Sequence, residues 1–105
     1  MINRVSIEQV QALLDEKKPI RLFDIRDPNS FSSAHMAGSD NLNSDNFADL
    51  TAGCEYDTPI VVVCYHGHSS LNAAQVLMNH GFENVMSMDG GFEAWRQTYP
   101  FVSET

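Results

Sequence analysis

Four β-branched residues in a row, Ile60-Val-Val-Val63, stand out from the polar chain around them. Apolar on both alternating sides, they fit a strand covered on both faces of a parallel sheet. Cys64 follows directly, then a polar loop containing Gly67, then a helical apolar period at Leu71, Ala74, Leu77 and Met78. Ser69 or Ser70 is the expected N-cap of that helix, and Gly81 its C-cap. Ser6 and Gln9 form a capping-box pattern ahead of Ile7, Val10, Leu13 and Leu14, which predicts a first helix over about 7–16, ended by Pro19. Residues 20–25 read as a strand closed by the turn pair Asp27-Pro28. A short helix over 28–35, a turn at Gly38-Ser-Asp40 and a short strand over 40–42 come next, before a helix through Phe47, Leu50 and Thr51 that Ser44 is placed to cap. Residues 83–88 form the next strand, with Val85 its clearest core position. Asp89-Gly-Gly91 turns the chain into a last helix, where Phe92 and Trp95 fall one turn apart. The order is αβααβαβα, with the 40–42 strand as a minor addition. It predicts an α/β fold, a central parallel sheet with helices on both faces.

Length and charge narrow the function. The 105 residues suffice for one core, so residues 1–105 are read as a single domain. Hydrophobic residues at 43% and charged residues at 19% describe a globular chain. A net charge of -8 argues against nucleic acid and anionic membrane as partners, since both select clustered Lys and Arg. It also sets a difficulty for any anionic substrate, whose approach must be favoured by local donors. No apolar run nears the ~20 residues of a membrane span, and the first residues lack the apolar core of a signal peptide, so a cytoplasmic location is expected. Two cysteines, Cys54 and Cys64, without a Cys-x-x-Cys pair, suit a reducing compartment and suggest neither zinc nor dithiol chemistry. Nothing calls for a metal or an organic cofactor.

Cys64 is the candidate for chemistry. By itself a cysteine ending a buried strand is a small apolar packing residue. Its setting changes that reading. The crevice beyond the carboxyl ends of parallel strands is where α/β proteins bind ligands, and a helix starting just after the cysteine aims free N–H groups at it. Cysteines so placed have pKa values lowered from about 8.5 to as little as ~3.5, which makes a functional thiolate reasonable at neutral pH. Asp24, inside an apolar strand, needs either a nearby cation, with Arg26 the candidate, or loop amides. His35 reads as structural, with its imidazole satisfying a backbone group. Cys54, beside Gly53 in a loop or helix end, reads as structural or incidental, or as a resolving thiol only if it lies close to Cys64.

These residues together resemble the rhodanese family of sulfurtransferases. Asp24-Ile-Arg26 with Phe31 and His35-Met-Ala-Gly38 is similar to the family's N-terminal signature, Cys64-Tyr-His-Gly-His-Ser-Ser70 to its active-site loop, and Asp89-Gly-Gly-Phe-Glu-Ala-Trp95 to its closing signature. The resemblance spans about residues 6–96. It implies that Cys64 takes a sulfane sulfur from a donor such as thiosulfate, holds it as a persulfide, and passes it to a thiophilic acceptor: cyanide in the laboratory, thioredoxin or another thiol protein in the cell. The backbone of Tyr65, His66, Gly67, His68, Ser69 and Ser70 would surround the added sulfur, with a hydroxyl of Ser69 or Ser70 as a further donor. Asp24 and Arg26 would support the loop. Ala34, Met36 and Ser39 depart from the family pattern as packing changes. The loop also lacks the Arg or Lys that many members use to hold an anionic donor, offering only His66 and His68. A cysteine phosphatase would carry Arg six residues after the cysteine, where this chain has Ser70. The alternative within the family is a persulfide carrier serving one dedicated protein, with little turnover of thiosulfate.

Overall fold

A computed structural model describes residues 2–104. Five parallel strands form one sheet in the order β1-β5-β4-β2-β3. They are β1 (Asn3–Val5), β2 (Arg21–Asp24), β3 (Asp40–Asn41), β4 (Ile60–Val63) and β5 (Val85–Met88). The helices are α1 (Ile7–Asp15), α2 (Pro28–Ser33), α3 (Phe47–Ala52), α4 (Ser69–Asn79) and α5 (Gly91–Thr98). Central β4 explains its own composition. Val61 and Val63 pack on one face with Val10 of α1 and Phe92 and Trp95 of α5, while Ile60 and Val62 pack on the other with Ala74 and Leu77 of α4. All four strand residues are fully buried, as a strand with helices on both sides must be.

The predicted architecture holds, and its details differ in four places. Strand β1 was not expected: it is three residues long, with Asn3 and Arg4 exposed, and exists by pairing with β5 along Asn3↔Met86 to Val5↔Met88. Strands β2 and β5 are shorter than the stretches 20–25 and 83–88 that were expected to form them. Helix α3 follows Asn46 rather than a Ser44 cap, because Asn43 and Asn46 make a local turn in which their side-chain carbonyls accept backbone N–H groups. Neither Ser69 nor Ser70 caps α4. His68 occupies the cap position without a side-chain bond, and both serines lie in the first turn, where Ser70 turns its hydroxyl inward. At the other end His80 is the cap residue, and Gly81 takes the next position with φ +104°. The capping box of Ser6 and Gln9 is present as predicted. No helix among the described residues is long and apolar enough to cross a membrane.

Candidate active site

Cys64 follows the last residue of β4 and is 2% exposed. Gly67 donates its N–H to Cys64 Sγ at 3.0 Å, and Ser70 Oγ lies 3.2 Å from the same sulfur. The loop can fold back this tightly because Gly67 adopts φ +91° and passes against the backbone of residues 88–90, where a Cβ would come within 2.8 Å of Gly90 N. Among the described residues the N–H groups of Tyr65, His66, His68, Ser69 and Ser70 donate to no carbonyl or side chain. This row of free donors beside a sulfur is a nest for an anion, and it answers the acidic net charge with a strictly local field.

The closing glycine pair holds the loop from behind. Phe92 N–H donates to the Cys64 carbonyl at 2.8 Å and Glu93 N–H to the Tyr65 carbonyl at 3.1 Å, so the start of α5 clasps the residues that carry the thiol. Gly91, with φ +60°, lies so close that a Cβ would stand 2.5 Å from the Cys64 carbonyl oxygen.

Asp24 and Arg26 form a buried two-pronged pair. Arg26 Nε donates to Asp24 Oδ1 and Oδ2 at 3.0 and 3.1 Å, Nη2 donates to Oδ2 at 2.8 Å, and the Arg26 N–H donates to Oδ1 at 3.0 Å. The guanidinium also donates to the Ala34 carbonyl at 2.6 Å and stacks over Phe92, 4.1 Å from its ring centroid. Both expected partners of Asp24, the cation and the amide, are therefore supplied by one residue. The pair joins the end of β2 to the segment after α2 and to α5.

Tyr65 points outward and donates its hydroxyl to Asp27, the N-cap of α2, with Ser30 Oγ 3.2 Å away. Asp27 is held down from 3.8 to about 2, first by the Tyr65 hydroxyl and then by the hydroxyl and N–H of Ser30. His66 and His68 are exposed beside the loop mouth. His35 is buried, donates its Nδ1–H to the Phe31 carbonyl at 2.7 Å, and stacks on the Phe31 ring, in keeping with a structural role. Arg21, at the opposite end of the sheet from the loop, donates to Cys54 Sγ at 3.3 Å. Cys54 is thus separated from Cys64 by the four-residue length of β4, roughly 13 Å at ~3.3 Å per residue, which no disulfide spans.

One buried polar residue was missed. Ser87 of β5 is fully buried, and its Oγ lies 2.6 Å from Ser70 Oγ. Its signal in the sequence is a hydroxyl two residues after Val85, on what strand alternation makes the same face.

A model of the rhodanese-like domain family matches residues 6–98. The chain belongs to the rhodanese family. Among similar proteins, one named thiosulfate sulfurtransferase GlpE from Stutzerimonas stutzeri is 47% identical over 97 residues, covering 92% of this chain and 87% of that protein. Another of that name from Pseudoalteromonas translucida is 50% identical over 95 residues, covering 90% of each. The solution structure of the rhodanese-like domain of the Alr3790 protein from Anabaena sp. superposes with a TM-score of 0.86 at 21% identity, over 98% of this chain and 80% of that one. Within this rhodanese domain the position of a phosphatase arginine is held by Ser70, buried against the sulfur, and no guanidinium lies in the loop to clamp a phosphoryl group.

Proposed function

We propose that the chain is a thiosulfate sulfurtransferase that works through a persulfide on Cys64. The seat of that sulfur carries the reading: a thiol at the carboxyl end of the central strand, bonded by Gly67 N–H in a loop whose five other N–H groups have no partner among the described residues. The relatives named above, at 47% and 50% identity, support thiosulfate as the donor.

In the first half-reaction the Cys64 thiolate attacks the sulfane sulfur, a new S–S bond forms, and the bond to the sulfonate sulfur breaks with its electron pair, releasing sulfite. Loop amides from Tyr65 to Ser70 then hold the terminal persulfide sulfur, which bears the negative charge. In the second half-reaction an acceptor attacks that outer sulfur and the Cys64 thiolate leaves. With cyanide the product is thiocyanate. No proton must be removed from the thiolate during attack, so the step needs no His–Asp pair beside Cys64. The cellular acceptor in this reading is a dithiol such as thioredoxin, or another thiol protein, in the cytoplasm.

A second reading, a persulfide carrier for one dedicated protein, draws support from a groove of about 740 Å³ beside the loop. Ile25, Pro28, Phe47, Ala73 and Val76 line it together with Ser69 of the loop's end, so an acceptor with an apolar flank has room beside the loop. Both readings are separated by one experiment. The reduced protein is mixed with thiosulfate, freed of excess, and its intact mass determined before and after cyanide. Gain of one sulfur atom that cyanide removes, absent in Cys64→Ser and retained in Cys54→Ser, is the expected result. Failure to gain sulfur from thiosulfate, with gain from a protein persulfide, would replace the enzyme reading by the carrier. A full gain in Cys64→Ser would overturn both.

A further inference from the structure

Ser87 faces the layer of α4. Val85, two residues earlier on β5, packs there with Ala74 and Leu77 of α4, and strand alternation puts Ser87 on the same side. A hydroxyl on so dry a face needs a partner. Among the described residues Ser87 Oγ has one, Ser70 Oγ at 2.6 Å, and Ser70 Oγ in turn lies 3.2 Å from Cys64 Sγ. Ser70 and Ser87 are both fully buried and Cys64 is 2% exposed, so the two hydroxyls and the sulfur make a row closed to water.

The direction of that row follows from its protons. Each hydroxyl has one to donate. If Ser70 gave its proton to Ser87, the Ser87 O–H would be buried with nothing to receive it, a costly arrangement. Beside a thiolate Ser87 therefore donates to Ser70 and the Ser70 proton turns toward the sulfur, whereas the Cys64 thiol is itself the donor to Ser70 Oγ. A neutral thiol that donates to Ser70 reverses the row and strands the Ser87 proton. An anionic sulfur fits it.

We propose that Ser87 is a positioning residue that holds Ser70 as a hydrogen-bond donor to Cys64 Sγ whenever that sulfur is a thiolate. For catalysis the proposal rests on the persulfide reading above. Sγ carries the negative charge before attack on the donor and again as the acceptor takes the outer sulfur, when Cys64 is the leaving group. A donor fixed on Sγ favours that departure. Donation through a second hydroxyl also strengthens the bond that Ser70 makes, because hydrogen bonds in a chain polarise one another.

The test compares Ser87→Ala, Ser70→Ala, the double variant and Ser87→Thr. Alkylation of Cys64 by iodoacetamide is followed across pH with no sulfur donor present. The exposed Tyr65, His66 and His68 of the loop, and the buried Asp24–Arg26 pair under Phe92, are common to all four proteins. Ser87→Ala should move the alkylation profile to higher pH in the same direction as Ser70→Ala, by about half a unit or more, as expected for loss of a donor to the charged form. The double variant should move no further than Ser70→Ala, and Ser87→Thr should return the profile to that of the parent. In a second arm, cyanide should discharge preloaded persulfide several-fold more slowly in Ser87→Ala, with an unchanged KM for thiosulfate. An unmoved profile in Ser87→Ala, or shifts that add in the double variant, would overturn the proposal. If Ser87→Ala does not fold, the isosteric pair Ser87→Thr and Ser87→Val carries the same comparison. The alkylation arm needs no sulfur transfer, so failure of thiosulfate to load Cys64 would sink the functional reading while leaving the result on Ser87 intact.

Discussion

Replacing Gly91 by Ala tests whether α5 holds the Cys64 loop, and Gly38 provides the control. Both glycines have positive φ, +60° and +82°, so an alanine at either is strained by about 1–2 kcal/mol, offset by about 0.4–1 kcal/mol from a stiffer unfolded chain. A Cβ at Gly38 meets nothing within 4 Å. Gly38→Ala should therefore cost about 1 kcal/mol or less. At Gly91 the Cβ would stand 2.5 Å from the Cys64 carbonyl oxygen and 2.6 Å from the Tyr65 carbonyl, backbone atoms that no rotamer can clear. Helix and loop must part, and the bonds from Phe92 and Glu93 N–H to those carbonyls stretch or break. With about 1 kcal/mol net for each bond, and more where a donor is left buried, Gly91→Ala should cost about 3–5 kcal/mol. Trp95, the single tryptophan and nearly fully buried in α5, reports urea unfolding directly. At ~4–8 °C per kcal/mol, the Gly91 variant should melt at least about 10 °C below the Gly38 variant. Cyanide turnover should fall about tenfold or more in Gly91→Ala, since a displacement near 1 Å at a reacting group can cost that much, and should stay within about twofold in Gly38→Ala. Equal melting temperatures in the two variants would show that the loop yields freely and that α5 does not clasp it.

Asp24→Leu and Arg26→Leu should each destabilise by about 3–5 kcal/mol by urea denaturation, because each strands a buried charge, and the double replacement should recover most of the loss. Single losses under about 1 kcal/mol would mean that the surviving charge escapes to water. Tyr65→Phe removes the largest cause of the low Asp27 value, so its carboxyl titration, followed by NMR, should rise from about 2 toward 3.8. The sign follows from that depression. The stabilisation contributed by ionised Asp27 is present above the ordinary carboxyl range and lost as pH falls toward 2, and in Tyr65→Phe it shrinks. An unmoved titration would show that Ser30 alone holds the carboxylate.

How much of this site could be read beforehand depends on whether a residue's partners are local. The run Ile60–Val63 announced a strand buried on both faces, and its end placed Cys64 at the ligand-binding edge of the sheet; that inference needed only neighbours in sequence. Asp24 was legible as a buried charge, and Arg26, two residues on, as its candidate cation. Strand β1 was not legible, because three residues with two exposed carry no alternation, and the strand exists through β5, about eighty residues away. The cap of α4 was misassigned for a related reason. Serine at a helix start satisfies the backbone when it has no better partner, and Ser70 has two, the sulfur and Ser87, both supplied by the sheet. Ser87 is the hardest case. In Val85-Met-Ser-Met88 one face carries Val85 and Ser87 and the other two methionines, so alternation alone does not say that the serine is buried. Met88 and Ser87 are in fact both fully buried, because β5 lies between β1 and β4 with helices on both sides. A polar residue on such a strand has no wet face to occupy. Once β5 is known to be interior, Ser87 must have a buried partner, and Ser70 beside Cys64 is the partner it has.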